Sequence, residues 1–132
     1  MTPTERLDEA TTLLRIRTLD YSAALEEYRN AVVAAVHESV PGPHHWSRGD
    51  DAAEAEMNGV TLTVGRSRAG WWCWCTVPNA WTGPHVMGHP TPRAALEALA
   101  VRLNRARSPH AIPARQLVTR LLRGWALPVA GE

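Results

Sequence analysis

The residues of this sequence with the most obvious chemical potential are two cysteines and several histidines. Cys73 and Cys75 stand two apart in one apolar run. Thiolates and imidazoles are preferred zinc ligands, and a tetrahedral site would need four of them to converge. The candidate imidazoles are those of His44, His45, His85 and His89. The Cys-x-Cys spacing matches no strong zinc signature, so we assign no metal ligand and no cofactor, and we keep metal binding as a minor alternative.

A catalytic thiol is the second possibility raised by the same run. A nucleophilic cysteine needs an accessible, electropositive position, whereas a cysteine in the middle of a strand beside tryptophans is typical of a buried, inert thiol. Alternation along a strand places Trp71, Cys73 and Cys75 on one face, where the cysteines fit as small core side chains. Carboxylates such as Asp50 and Asp51 are adjacent rather than convergent. We therefore predict no catalytic residues and a protein that is not an enzyme.

Tryptophans dominate the other face of the same strand. Trp72 and Trp74 alternate with the cysteines, so both faces carry apolar bulk. A small sheet with one helix covers only one face, and the second needs the rest of the chain or a partner. The sequence has 6 tryptophans, a residue favoured in cores and as an interface anchor. We predict partner binding through Trp72, Trp74 and Trp81, with the pinning of loops onto a small core as an equal alternative for the tryptophans in connectors.

The charges are unevenly distributed along the chain. Residues 1–58 hold 11 acidic and 5 basic side chains, a net charge of −6, and residues 59–132 hold 2 acidic and 9 basic side chains, a net charge of +7. The two halves could attract each other within one fold. Two more specific interpretations are a basic face that binds nucleic acid and an acidic face that binds a basic partner.

Arginines supply all the basic side chains and define the nucleic-acid alternative. Beside an exposed tryptophan they would form a stacking platform edged by positive charge, as single-stranded RNA or DNA binders require. The formal net charge of only +1 argues against such a domain. The candidate nucleic-acid-binding residues are Arg66, Arg68, Arg105, Arg115, Arg120 and Arg123.

Hydrophobic spacing predicts an α+β fold in a single domain, residues 1–132. Its centre is a strand–strand–strand–helix unit over residues 59–107, with a three-stranded antiparallel sheet and a helix on one face. The predicted strands are residues 60–64, 70–78 and 85–88, and Thr91-Pro92 opens the helix.

The remaining elements are helical. Residues 1–40 are predicted to form an N-terminal helical hairpin that either covers the Trp72 and Trp74 face or adjoins the sheet. An acidic connector over residues 41–58 is a loop or contains a short helix at 50–57. Residues 108–132 carry a C-terminal helix, starting near Pro113, and a tail. The chain has no apolar run of membrane-spanning length and a polar N-terminus, so we expect a cytoplasmic protein with no membrane partner.

One stretch of the chain resembles a known family. From residue 59 to 103 the order is glycine, aromatic pair, strand, proline, loop, short strand with glycine, Thr-Pro and an alanine–leucine helix, which resembles the HicB-like antitoxins. The matching residues are Gly70, Trp71, Trp72, Val77, Pro78, Gly83, Val86, Gly88, Thr91, Pro92, Ala95, Leu96 and Leu99. The resemblance implies a partly degenerate ribonuclease-H-like sheet with packed helices that neutralises a small RNA-cleaving toxin, often with a separate DNA-binding segment.

This chain departs from that family in its long helical N-terminal region, in an extra residue between Gly88 and Thr91, and in a C-terminal helix without a recognisable DNA-binding motif. A fainter resemblance, to phage restriction-alleviation proteins of the Lar type, rests on the residues Gly83, Pro84, Val86, Thr91, Ala95, Asn104 and Arg105. Those proteins carry paired CxxC zinc motifs, where this chain has only Cys73-x-Cys75.

Together these observations predict a non-enzymatic protein-binding regulator or inhibitor of a nuclease-type partner, antitoxin-like or phage anti-defence-like. The alternative is a nucleic-acid-binding accessory protein that uses the arginine-rich C-terminal half. The sequence leaves a homo-oligomer open, and it does not identify the protein partner, which could be a nuclease or a defence complex.

Overall fold

The computed structural model of the chain describes residues 2–16, 21–43, 46–49 and 51–128. These residues form four helices and six strands, which confirms the α+β class. The helices are α1 (Pro3–Ile16), α2 (Tyr21–Ser39), α3 (Pro92–Arg105) and α4 (Ala111–Leu122). The strands are β1 (Ser47–Arg48), β2 (Ala53–Met57), β3 (Val60–Ser67), β4 (Gly70–Val77), β5 (Trp81–Thr82) and β6 (Val86–His89).

All strand pairs of the sheet are antiparallel, and the order is β1-β2-β3-β4 followed by a shared edge. β5 pairs with the C-terminal end of β4 and β6 with its N-terminal half. The described residues therefore form a larger sheet than the three strands predicted. β4 lies in the interior of the sheet, with β3 along one edge and with β5 and β6 along the other.

The acidic connector proved to be part of the sheet, and the prediction of a loop or short helix there was wrong. Ala53, Ala55 and Met57 are buried, and the glutamates between them point the other way, which is the two-residue period of a strand. Asn58 and Gly59 link β2 to β3 with φ angles of 53° and 79°. Asn-Gly is the strongest short signal for such a hairpin, because both turn residues must adopt positive φ.

Among the described residues, the hydrophobic core lies on one face of the sheet. Buried side chains from all four helices form one cluster with the inward residues of β2, β3, β4 and β6. The inward residues of the two central strands include Leu62, Val64, Trp71, Cys73 and Cys75. α1 and α2 pack against each other as a hairpin beside this layer, as one of the two predicted arrangements had it. The other expectation, that these helices cover Trp72 and Trp74, was wrong.

The two C-terminal helices begin and end at recognisable residues. Thr91 caps α3, its Oγ1 accepting a hydrogen bond from Ala94 N at 3.1 Å, and proline occupies the first helical position, as predicted. α4 starts at Ala111, two residues before the predicted start, and Gly124 follows it with a φ of 70°. Of the helices that are described, none is long and apolar enough to cross a membrane.

Candidate binding face of the sheet

The outward side of the sheet, which we call the open face, is the surface that the core leaves uncovered. Strand pairing sets Glu54, Thr63 and Trp74 side by side across β2, β3 and β4. The neighbouring row runs from Glu56 through Thr61 to Thr76. Carboxylate, hydroxyl and indole groups therefore form ordered rows on one surface.

Three aromatic rings stack on the open face. The centroids of Trp72 and Trp74 are 4.5 Å apart with planes inclined by 14°. His85, just before β6, stacks on the far side of Trp74 at 4.5 Å and 17°. Both tryptophans are half-buried although neither packs against the core. Their indole N–H groups make no hydrogen bond to other described residues.

Gly65 makes room for this stack. It is the β3 residue directly opposite Trp72, and it is buried although it lies on the open face. A Cβ atom at this position would lie 2.2 Å from Cζ2 of Trp72, far inside van der Waals contact. The indole of Trp72 therefore occupies the space that any other residue at position 65 would fill. Sequence reasoning placed Gly65 in the turn and missed this role, for which an aromatic residue paired with glycine across two strands is the signal.

Met87 extends the apolar part of the open face. β6 pairs with β4 at two positions, with His89 opposite Trp71 and Val86 opposite Cys73. The two β6 residues between them, Met87 and Gly88, therefore lie opposite the single residue Trp72. This bulge accompanies a φ of 77° at Gly88. Val86 is buried, and the alternation turns Met87 outward, where it is 66% exposed. This methionine was not among the predicted site residues.

Glu54 and Glu56 give one side of the open face a negative charge. They lie on β2, which is separated from β4 by β3. Because neighbouring strands are about 4.8 Å apart, the backbones of Glu54 and Trp74 are roughly 10 Å apart. Glu56 is exposed and Glu54 half-buried. The sequence signal for this arrangement is the alternation in Ala-Glu-Ala-Glu-Met, which the interpretation as a connector overlooked.

The predicted nucleic-acid-binding arginines do not gather on the open face. Arg105, Arg115, Arg120 and Arg123 belong to α3 and α4 or follow α4, and those helices cover the opposite face of the sheet. Arg68 is exposed in the β3–β4 turn.

Several of these arginines are engaged within the chain. Arg66 is ion-paired with Asp8 at 2.7 Å. Arg120 Nη1 donates to the carbonyl oxygen of Ala126 at 3.0 Å, and the guanidinium of Arg123 lies 5.0 Å from the ring centroid of Trp125. The arginines and the Trp72–Trp74 stack thus belong to different surfaces.

Trp81 is separated from the other two predicted partner-binding tryptophans. It pairs with Val77, which extends the Cys73 and Cys75 side of β4. Its half-buried ring packs against the core and stacks loosely on His110, at 6.0 Å between centroids. Trp72 and Trp74 are brought together by the fold, and Trp81 lies on the other face.

The cysteines are core residues. Cys73 and Cys75 are fully buried free thiols. Burial raises the pKa of Cys75 to about 12, and burial with the neighbouring Cys75 raises the pKa of Cys73 further still. His85 lies on the opposite face, and His44 and His45 are outside the described residues. Within the described ranges no three histidine, cysteine or acidic side chains cluster as metal ligands would.

Comparison of the chain with known protein families, with curated proteins and with solved structures finds no significant match. The interpretation of the open face therefore depends on its own geometry and charge.

Proposed function

We propose that this chain is a non-enzymatic protein-binding module that docks through its open face and inhibits or regulates a nuclease-type partner. The observation that carries the proposal is the stack of Trp72, Trp74 and His85 on a sheet face that no described helix covers. Tryptophan is among the residues most enriched at energetically dominant interface positions. An aromatic cluster held by its own strand pairing is also preorganised, which lowers the entropy cost of binding.

Charge favours a basic partner. Glu54 and Glu56 lie on the same face as the aromatic stack, and complementary potentials steer association and exclude wrong partners. A nuclease must itself present a basic, phosphate-binding surface. In a nucleic acid, negatively charged phosphates lie beside stacked bases. Glutamate carboxylates beside stacked aromatic rings present the same two kinds of group to a nuclease surface. An inhibitor of this kind would act by occupying the nucleic-acid groove of its partner.

The resemblance of residues 59–103 to HicB-like antitoxins supports the same class of partner, and an antitoxin-like or phage anti-defence-like role is part of the proposal. So is a cytoplasmic location, where Cys73 and Cys75 would stay reduced.

The alternative, a nucleic-acid-binding accessory protein, has weaker support. The observation that best supports it is that Arg68, Arg105 and Arg123 are exposed. These arginines do not surround the aromatic stack, and the carboxylates beside the stack would repel phosphates.

Site-specific cross-linking in the native host tests the proposal. A photoreactive amino acid replacing Thr63, between Glu54 and Trp74 on the open face, should trap one protein that has nuclease activity when purified. The matched control replaces Gln116, an exposed residue of α4, the helix that packs on the other face of the sheet, and should not trap it. Trapping of nucleic acid at Thr63, or of the same protein equally at both positions, would contradict the proposal.

A further inference from the structure

A cleft on the other side of the sheet from Trp72 has the features of a small-molecule site. It is about 730 Å³ in volume and lies between the α1–α2 hairpin and the β3–β4 turn. That volume falls within the roughly 300–1,000 Å³ of typical ligand pockets. Tyr28 of α2 lines one wall, and Arg66, Arg68, Trp71 and His89 line the other. The cleft is independent of the open face, because Arg66 and Trp71 form a pair on the inward side of the sheet.

The far wall of the cleft depends on a close approach of two strands. Gly70 has a φ of 128°, and a Cβ atom there would lie 2.6 Å from the carbonyl oxygen of His89. Only glycine allows β4 and the end of β6 to come so near. This approach holds His89 and the β3–β4 turn, with Arg68, on one wall.

The charges in the cleft are predominantly positive. Arg66 and Arg68 contribute two guanidinium groups, and planar guanidinium forks suit phosphate oxygens. The hydroxyl of Tyr28 donates to the carbonyl oxygen of Arg66 at 3.4 Å, which ties α2 to this strand. The half-buried guanidinium of Arg66 interacts more strongly with an anion than it would in open water.

Asp8 is the one described carboxylate paired with these guanidinium groups. Its Oδ1 lies 2.7 Å from Nη1 of Arg66, and the carboxylate side chain is 57% exposed. The contact has the distance of an ion pair but not the geometry of a hydrogen bond, so the buried Nη1 has no hydrogen-bond acceptor among the described residues. An arriving anion with better geometry could therefore take the place of Asp8.

We propose that this cleft binds a small phosphorylated molecule, with Arg66 and Arg68 holding the phosphate and Asp8 as the internal competitor that the phosphate displaces. The volume far exceeds a phosphate group, so the organic part of the ligand occupies the space between Tyr28 and the wall formed by Trp71 and His89.

Calorimetric titration of the full chain with ribose 5-phosphate, and with ribose as the uncharged control, tests the proposal. Ribose 5-phosphate binds and ribose does not. Arg66→Gln and Arg68→Gln each weaken binding by about tenfold, as the loss of a charge-assisted contact predicts. Arg68 is exposed, so its replacement leaves the fold intact even if that of Arg66 does not.

Two charge-matched variants on α1 separate the proposed competition from a general field effect. Asp8→Asn strengthens binding about threefold, the size expected when an exposed ion pair no longer competes. Glu9→Gln removes the same charge one residue away, from an exposed side chain with no ion pair to another described residue, and leaves the affinity unchanged. Trp72→Ala, on the open face, also leaves it unchanged. The proposal is overturned if ribose 5-phosphate binds no tighter than ribose, or if Asp8→Asn and Glu9→Gln behave alike.

Discussion

Cys73 and Cys75 illustrate how position overrides the chemistry that a residue type suggests. In sequence they belong to the list of potential metal ligands and nucleophiles. In the fold they are small side chains under α3, fully buried between Val64, Leu62 and the helix. The strand period grouped both thiols with Trp71 on one face, and their small size favoured that face as the one packed under α3.

Burial of these thiols predicts a specific pH dependence. Because burial raises the pKa of Cys75 from 9.0 to about 12, the unfolded chain loses the proton first as the pH rises. The free energy of unfolding contributed by the neutral thiol is fully present below pH 9 and is lost between that value and about 12. We therefore expect stability in denaturant titrations to fall across this alkaline range, and to fall less in a Cys73→Ala, Cys75→Ala variant.

The same burial predicts that neither thiol reacts with iodoacetamide in the native protein near neutral pH, and that both react once it is unfolded. Thr76→Cys, on the half-buried open side of the same strand, is the matched control and should react in the native state. Rapid native labelling of Cys73 or Cys75 would contradict the placement.

At the scale of elements, the pairing of β3 with β4 organises the open face. Gly65 and Trp72 are opposite each other, and the absence of a side chain on one strand allows the stack on the other. The sheet edge adds to it, since Met87 of β6 is exposed at the bulge opposite Trp72.

Gly65→Ala should break this arrangement. The new Cβ would lie 2.2 Å from Cζ2 of Trp72, so the indole must leave its position over β3, at a cost of about 1–3 kcal/mol in the free energy of unfolding. The stacked indoles should give an exciton couplet in the far-ultraviolet circular dichroism spectrum, and the substitution should abolish it. Thr61→Ala, on the same strand and face, should preserve the couplet; an unchanged couplet in Gly65→Ala would show that the glycine does not support the stack.

Some secondary-structure elements were predicted from the sequence and others were missed. β4, α2 and the Thr91 cap of α3 were predicted because their periodicity and capping residues are local signals. β2 was missed because two glutamates suggested an exposed connector, although the alternation and the Asn58-Gly59 turn were present in the sequence. β5 has only two residues and no local pattern to detect.

The sequence predicted that α3 covers the small-residue face of β4, but it left the placement of the N-terminal helices open, because both faces of the strand carry apolar residues. The helices pack over the face with Cys73 and Cys75, because these small side chains allow a close approach. The bulky face is left outside, where Trp72 and Trp74 cover each other and Gly65.

At the scale of the whole molecule, the fold separates two kinds of surface. Helices α3 and α4, with most of the arginines of the second half, form one side, and the rows of glutamate, threonine and tryptophan form the other. The attraction expected between the acidic and basic halves is present in the ion pair of Asp8 with Arg66. Other acidic residues are paired within the first half, where Arg48 contacts Glu26 and Arg29 contacts Asp51. Glu54 and Glu56 form no ion pair with other described residues and are free to meet a basic partner.

The most direct test of the central claim, that the open face is a protein-docking surface, is the affinity of two tryptophan variants for the protein trapped at Thr63. Trp72→Ala should weaken binding by roughly a hundredfold, the loss typical of an interface hot spot, under conditions in which circular dichroism shows that the variant remains folded. Trp125→Ala removes an equal side chain that is 49% exposed beyond α4, and its affinity should match that of the unmodified chain. Equal affinities for the two variants, or a loss confined to Trp125→Ala, would contradict the account.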